Sequence, residues 1–211
     1  MFDVYAFATP NSVKVPIALE ELGLDYRLHA VNVRQGEQKT PDFVALNPNA
    51  KVPVLVDPDA EGGRLVLTES AAILVYLAEK TGRLLPPSGV DRARVFEQLF
   101  FHASGLGPAF GQAGFFQRQA TEKQPLAIER FATEAKRTLG VLDGVLATRP
   151  FVAGTEFTIA DIAQFGWLWR REFAGVDLET APNVARWYAA VESRPAVGRA
   201  IRRVTGLAPQ A

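Results

Sequence analysis

Two dipeptides, Val52-Pro53 and Glu69-Ser70, carry the chemistry most readily read from this chain. Val54-Leu55-Val56 reads as a buried strand, and a proline, which has no N–H for a ladder, belongs at its opening. Asp57-Pro58-Asp59 and Gly62-Gly63 mark a turn region. Arg64 to Leu67 reads as a second short strand, and Thr68-Glu69-Ser70 opens an apolar helix from Ala71 to Lys80. A backbone edge thus lies near a helix N-terminus that carries a carboxylate and a hydroxyl. That combination suits a small peptide with a free amino-acid end. Main-chain groups of Val52 would pair with it as an added strand. Ser70 and the helix N-terminus would hold its carboxylate, and Glu69 its ammonium. The same residues also read as plain fold devices, with Pro53 starting a strand and Thr68 capping a helix.

The elements that must position these groups follow from pattern. Phe2 to Phe7 reads as a strand, and Thr9-Pro10-Asn11-Ser12 as a turn able to cap a helix. Val13, Ile17, Leu19 and Leu22 give a helical apolar face that Gly23 ends. Tyr26 to Val33 alternates and reads as a second strand, and Pro41-Asp42-Phe43 begins a single helical turn. The order is β-α-β, an irregular segment, then β-β-α. Past Gly82 no strand pattern appears. Gly105, Gly107, Pro108, Gly111 and Gly114 must bend or break the helical stretch from Ser88 to Phe116. Ile128, Phe131, Ala135, Leu139, Leu142 and Leu146 form a helical stripe, and two further helices span Asn183 to Ser193 and Ala196 to Val204. In Phe157 to Ile162, Thr158 and Asp161 form a capping box, with Phe157 and Ile162 as its staple. We read that box as a folding device with a buried Asp161. The expected fold class is α/β plus all-α: residues 1–82 as a small α/β domain, 83–87 as linker and 88–211 as an all-helical domain.

Composition narrows the chemistry. With 211 residues, 48% of them apolar, the chain can bury a core of one or two domains. Lys+Arg and Asp+Glu are equal at 23 each, which gives no reason to expect nucleic acid or an anionic membrane as partner. No apolar run approaches the roughly 20 residues of a membrane span. Cysteine is absent, so disulfides, thiolate metal sites and a protein thiol nucleophile are excluded. Sulfur chemistry would need sulfur brought by a ligand. The two histidines, His29 and His102, lack metal-ligand spacing, and no metal site is expected.

The thioredoxin-like order, Val52-Pro53, Glu69-Ser70 and the Thr158–Asp161 box together resemble the glutathione transferase superfamily from Phe2 to about Val204. Thr9-Pro10-Asn11, Asn49 to Pro53, Gly105 to Gln112 and Ala127 to Arg130 resemble its bacterial nu class, akin to the glutathione-dependent disulfide-bond reductases. The resemblance implies a cis Val52-Pro53 bond that aims the Val52 main chain at the cysteinyl unit of glutathione. It implies Glu69 on the ligand's ammonium, Ser70 on the adjacent carboxylate, and Lys51 and Gln38 at the glycyl end. It places Thr9 and Asn11 near the sulfur, where donors and a helix N-terminus favour thiolate over a thiol of pKa about 8.5. Tyr5 and Ser12 compete for that role, because other classes use tyrosine or serine. Arg130 would meet a carboxylate of a second glutathione or of glutathione disulfide, against the alternative of a surface ion pair with Glu134. Phe110, Phe115 and Phe116 would wall a substrate pocket, or the glycines nearby only let helices pack. The arginines at 194, 199, 202 and 203 read as a solvated face.

The implied function is a glutathione-dependent disulfide reductase. A mixed disulfide forms and a second glutathione resolves it, with organic-hydroperoxide reduction and weak conjugation as side reactions. Two alternatives stand beside it: conjugation of glutathione to electrophiles, and a ligand-sensing interaction module without catalysis. The resemblance also implies a homodimer. A cytoplasmic location is expected, since Met1-Phe2-Asp3 lacks the basic flank of a signal peptide.

Overall fold

Alternation builds the first strand. β1 (Phe2–Ala6) buries Phe2, Val4 and Ala6 and turns Asp3 and Tyr5 to the opposite face. The computed structural model describes residues 1–207. α1 (Lys14–Leu22) follows and stops at Gly23, whose φ of 70° ends the helix in the left-handed region. β2 (Tyr26–Ala30) runs parallel to β1, pairing Phe2 with Tyr26 and Ala6 with Ala30. It ends three residues before the alternation of Tyr26 to Val33 does. Val31 still donates to the Ala6 carbonyl, but Asn32 accepts from Arg34 N through its side chain and turns the chain away.

α2 (Pro41–Leu46) starts on a proline at its first turn. β3 (Val54–Asp57) and β4 (Leu65–Thr68) form an antiparallel pair, and the sheet order is β2-β1-β3-β4. α3 (Ser70–Thr81) packs against α1. On the α2 side, Val31, Phe43 and Val54 form a core against which Tyr5, Leu46, Val52 and Val66 pack.

The remaining chain is helical. α4 (Gly89–Phe101), a π turn over His102–Leu106, α5 (Gly107–Gly114), a π turn over Phe115–Gln119 and α6 (Pro125–Leu146) follow in order. The glycine-rich stretch is therefore bent through wide turns rather than broken into two pieces. α7 (Ile159–Trp169) and α8 (Pro182–Glu192) complete the second of two compact units, Leu84–Glu192. The glycines from Gly105 to Gly114 serve close packing. A Cβ on Gly114 would lie 2.1 Å from Phe173 Cε1, and one on Gly111 3.2 Å from the Trp167 ring.

The capping box of α7 is present. Thr158 Oγ1 accepts from Ala160 N, and Asp161 Oδ2 accepts from Thr158 N at 2.9 Å. Asp161 is fully buried, and its Oδ1 accepts from Val152 N and Trp187 Nε1, each at 2.9 Å. Burial draws this carboxyl up to about 6, and those hydrogen bonds oppose the rise.

α9 (Pro195–Thr205) departs from the expected division of the chain. It belongs with Met1–Arg83, packed on α1, and not with the helices before it. Its apolar side buries Val197, Ala200 and Val204. Arg194 at its N-cap and two arginines within it are ion-paired rather than merely solvated. Arg194 grips Glu21 with contacts of 2.6 and 2.8 Å. Arg199 and Arg203 reach Glu20 at 2.7 and 3.3 Å, while Arg202 is exposed. The last four residues assigned to the helical domain, 208–211, lie outside the described residues.

Candidate functional site

The turn between β1 and α1 is held by side chains. Thr9 Oγ1 accepts from Ser12 N at 3.2 Å and donates to Ser12 Oγ at 2.9 Å. Ser12 is fully buried and its Oγ also accepts from Phe7 N. Tyr5 lies in mid-strand, stacked on His29 at 4.7 Å and edge-on to Phe43. Both competitors for the thiol thus have structural occupations. Thr9 and Asn11 are half-buried, at the surface of the same turn.

The loop before β3 is organised by Asn47, which is buried. Its Nδ2 donates to the Lys51 carbonyl at 2.6 Å, its Oδ1 accepts from Asn49 N, and its carbonyl accepts from Ala50 N. Lys51 is thereby held exposed, and Val52-Pro53 is cis. Val52 lies outside the β3 ladder, and no hydrogen bond among the described residues engages its N–H or C=O. Those two groups fit an added strand.

Glu69 stands at the N-cap of α3 with φ 64° and ψ 110°, a left-handed conformation that a side chain bearing Cβ resists. Such strain persists where surrounding structure imposes it, and it clusters at functional sites. Glu69 does not cap α3 with its side chain, so the first N–H groups of the helix remain as donors. Glu69 is exposed and Ser70 beside it is buried.

One residue that the sequence reading passed over joins these parts. Lys14, the first residue of α1, is fully buried. Its Nζ donates to Asn11 Oδ1 at 2.7 Å and to Ser70 Oγ at 3.3 Å. Burial draws its pKa down to about 7, and the negative charge of Glu69 pulls the other way. Asn11 of the turn and Ser70 of the α3 N-terminus therefore meet around one nitrogen. What this arrangement can do is bind a zwitterion: backbone groups for an extended chain, donors for carboxylate, a carboxylate for ammonium.

Among the described residues, no hydrogen bond draws Gln38 or Lys51 into that cluster. Gln38 follows Glu37, whose carboxylate is anchored on Asn32 N, and its buried Oε1 makes no hydrogen bond. Arg130 lies on α6 in the second unit and is exposed. The ion pair with Glu134 is not formed; Arg137 takes that carboxylate with contacts of 2.7 and 2.8 Å. Phe110 is fully buried, whereas Phe116 stacks on Phe131 and Phe115 is exposed. Among the described residues no cluster of His, Asp and Glu is arranged to hold a metal, and no helix is long and apolar enough to cross a membrane.

Family models match both halves of the chain: glutathione S-transferase, N-terminal domain, over residues 8–80, and glutathione S-transferase, C-terminal domain, over residues 125–190. The disulfide-bond oxidoreductase YfcG of Escherichia coli (strain K12) is 42% identical over 205 residues, spanning 95% of this chain and 94% of its own. This chain belongs to the glutathione S-transferase family. Among solved structures, a glutathione transferase family member from Pseudomonas fluorescens with two glutathione bound is 41% identical, with a TM-score of 0.90 over 95% of this chain and 92% of its own. A glutathione transferase from Pseudomonas putida with one glutathione disulfide bound per subunit is 39% identical, with a TM-score of 0.90 over 95% and 90%.

In this transferase the two residues missed from sequence were Lys14 and Asn47. Lys14 did carry a signal. It is the one charged residue between Val13 and Leu19, at helical spacing with Ile17 and Ala18 on a buried face. A lysine there must be paired or expelled.

Proposed function

We propose that this glutathione S-transferase is a glutathione-dependent disulfide-bond reductase of nu-class type. The observation that carries the reading is the junction of Asn11 and Ser70 on Lys14 Nζ. It gathers a donor suited to sulfur and a donor suited to a carboxylate at one place. In this reading Val52 holds the cysteinyl unit through its N–H and C=O. Glu69 holds the ammonium of the ligand. Ser70 and the uncapped N-terminus of α3 hold the neighbouring carboxylate. Lys51 and Gln38 serve the glycyl carboxylate, and Arg130 a carboxylate of a second glutathione.

Thr9 and Asn11 donate hydrogen bonds to the sulfur and so favour its thiolate, which is the reactive form. Thr9 must turn its hydroxyl hydrogen from Ser12 Oγ to do this, while Ser12 N continues to hold Thr9 Oγ1. The net reaction reduces a substrate disulfide to two thiols and oxidises two glutathione thiols to one glutathione disulfide. The family relatives named above, a disulfide-bond oxidoreductase and transferases holding two glutathiones or glutathione disulfide, support that stoichiometry. A homodimer and a cytoplasmic location, where glutathione is abundant, belong to the same reading.

The test is turnover of a small model disulfide with glutathione in excess, followed by the appearance of glutathione disulfide, beside turnover of a halo-nitroarene. Disulfide turnover well above conjugation is expected. The reverse ratio, or glutathione binding without turnover of either substrate, overturns the reductase reading.

A further inference from the structure

We infer that Lys14 is a positioning residue whose buried ammonium sets two donors of the site at once, Asn11 Nδ2 toward the sulfur and Ser70 Oγ–H toward the carboxylate. The inference rests on the reductase reading of the same site.

The hydrogen-bond geometry carries it. An ammonium only donates. Lys14 Nζ lies 2.7 Å from Asn11 Oδ1, so it fixes that amide with its oxygen inward and its NH₂ toward the open side of the turn. The same nitrogen lies 3.3 Å from Ser70 Oγ. A hydroxyl that accepts from Lys14 keeps its own hydrogen for an outside acceptor. Each outward donor is therefore backed by the same positive charge, and charge-assisted hydrogen bonds are the stronger kind. A neutral amine would lose this control, because it can also accept.

The surroundings leave Lys14 as the responsive charge. From α3, Glu69 faces it, and burial opposes its protonation. From α9, Arg194, Arg199 and Arg203 are matched with Glu20 and Glu21 at the far end of α1. On the sheet, Asp3 and His29 pair with each other at 2.6 Å. Lys14 is drawn down to about 7 in the free protein, so it is partly neutral under ordinary conditions. An anion bound over Asn11 and Ser70 favours its charged form. A proton leaving the ligand thiol is thus balanced by one gained at Lys14, and the site holds a thiolate with little net release to solvent.

The first measurement uses the wild-type protein. Glutathione and S-methylglutathione are titrated calorimetrically at about pH 8, above the folded-state value of Lys14, in buffers of different ionisation heat. Glutathione should release far less than one proton, and S-methylglutathione, which brings no thiol proton, should show uptake. Full release with glutathione and no uptake with its methyl thioether overturns the inference.

The second measurement follows the ultraviolet absorbance of bound thiolate against pH in wild type, Lys14→Met and Lys14→Gln. In Lys14→Met the thiolate should appear about one pH unit higher, a tenfold loss of thiolate at neutral pH. Its affinity for S-methylglutathione should fall much less. Lys14→Gln keeps a donor without the charge, and should retain part of the effect. With Asn11→Ala already present, Lys14→Met should shift the thiolate little further. An unchanged thiol titration in both Lys14 variants overturns the inference, as does an equal loss of both ligands. Wild type that binds no glutathione overturns the underlying reductase reading. Wild type that binds and turns over disulfides, with an unmoved thiol titration in the variants, overturns only the role of Lys14.

Discussion

Two buried charges of opposite sign, Asp161 and Lys14, show how differently one fold can use an expensive group. Asp161 at the start of α7 is enclosed by donors from Val152, Thr158 and Trp187, so its carboxylate ties three chain segments together. Its oxygens face inward, and nothing about the arrangement calls for a ligand. Lys14 at the start of α1 meets two side-chain acceptors, Asn11 and Ser70, each of which retains a donor of its own. Both groups are shifted toward neutrality by burial. A charge whose partners all end within the chain is a folding device. A charge whose partners can pass the interaction outward is equipped for a ligand.

The largest expected effect tests the folding side. Asp161→Ala leaves the donors of Val152, Thr158 and Trp187 without their acceptor, which should cost about 3–5 kcal/mol. Urea unfolding measures this, and a loss under about 1 kcal/mol would remove Asp161 from its place in the comparison. Its pH signature has a definite sign. The folded value, about 6, lies above the ordinary carboxyl value of 3.8, so the folded state binds the extra proton. Wild-type stability from this group should fall as pH rises from about 4 to 6, and Asp161→Asn should lack that slope.

Next come the groups facing the sulfur. Thr9→Ala and Asn11→Ala should each lower disulfide turnover by roughly 10- to 100-fold, with a smaller change in glutathione affinity. Steady-state kinetics beside binding calorimetry separates the two, and full turnover in both variants would refute the assignment.

Lys14→Met sharpens the contrast from the opposite side, for it should stabilise the ligand-free protein. The folded value of about 7 lies below the ordinary 10.5, so the unfolded chain binds more protons between those values. The destabilisation carried by Lys14 is largest below about pH 7 and fades as pH rises to about 10.4. A gain of order 1–3 kcal/mol at pH 6 that shrinks by pH 10 is expected from chemical denaturation. A loss of stability at pH 6 would place Lys14 with Asp161, as a structural group.

Gly114→Ala should cost about 1–3 kcal/mol, because its Cβ would overlap the Phe173 ring. The smallest effect belongs to Arg199→Ala, whose ion pair with Glu20 is solvent-exposed on the arginine side and should contribute under about 1 kcal/mol. Thermal melts of the two variants give the packing and surface ends of this scale.

Local signals determined much of this protein. Period-two alternation marked β1, helical spacing marked α6, and glycines marked the ends of α1 and α3, because each depends on neighbours in sequence. The Thr158–Asp161 box was legible for the same reason. Val52-Pro53 and Glu69-Ser70 could be singled out because a strand-opening proline and a carboxylate-hydroxyl helix start are short-range features. Tertiary structure alone decided which partners long-range contacts supply. It took α9 to α1 through Glu20 and Glu21, and it buried Phe110. It also joined Lys14, with Asn11 on the same nitrogen, to Ser70 across 56 residues of chain. Sequence fixes which groups a segment carries. Only packing fixes which of them lose water together, and a buried charge acquires its meaning from that shared loss.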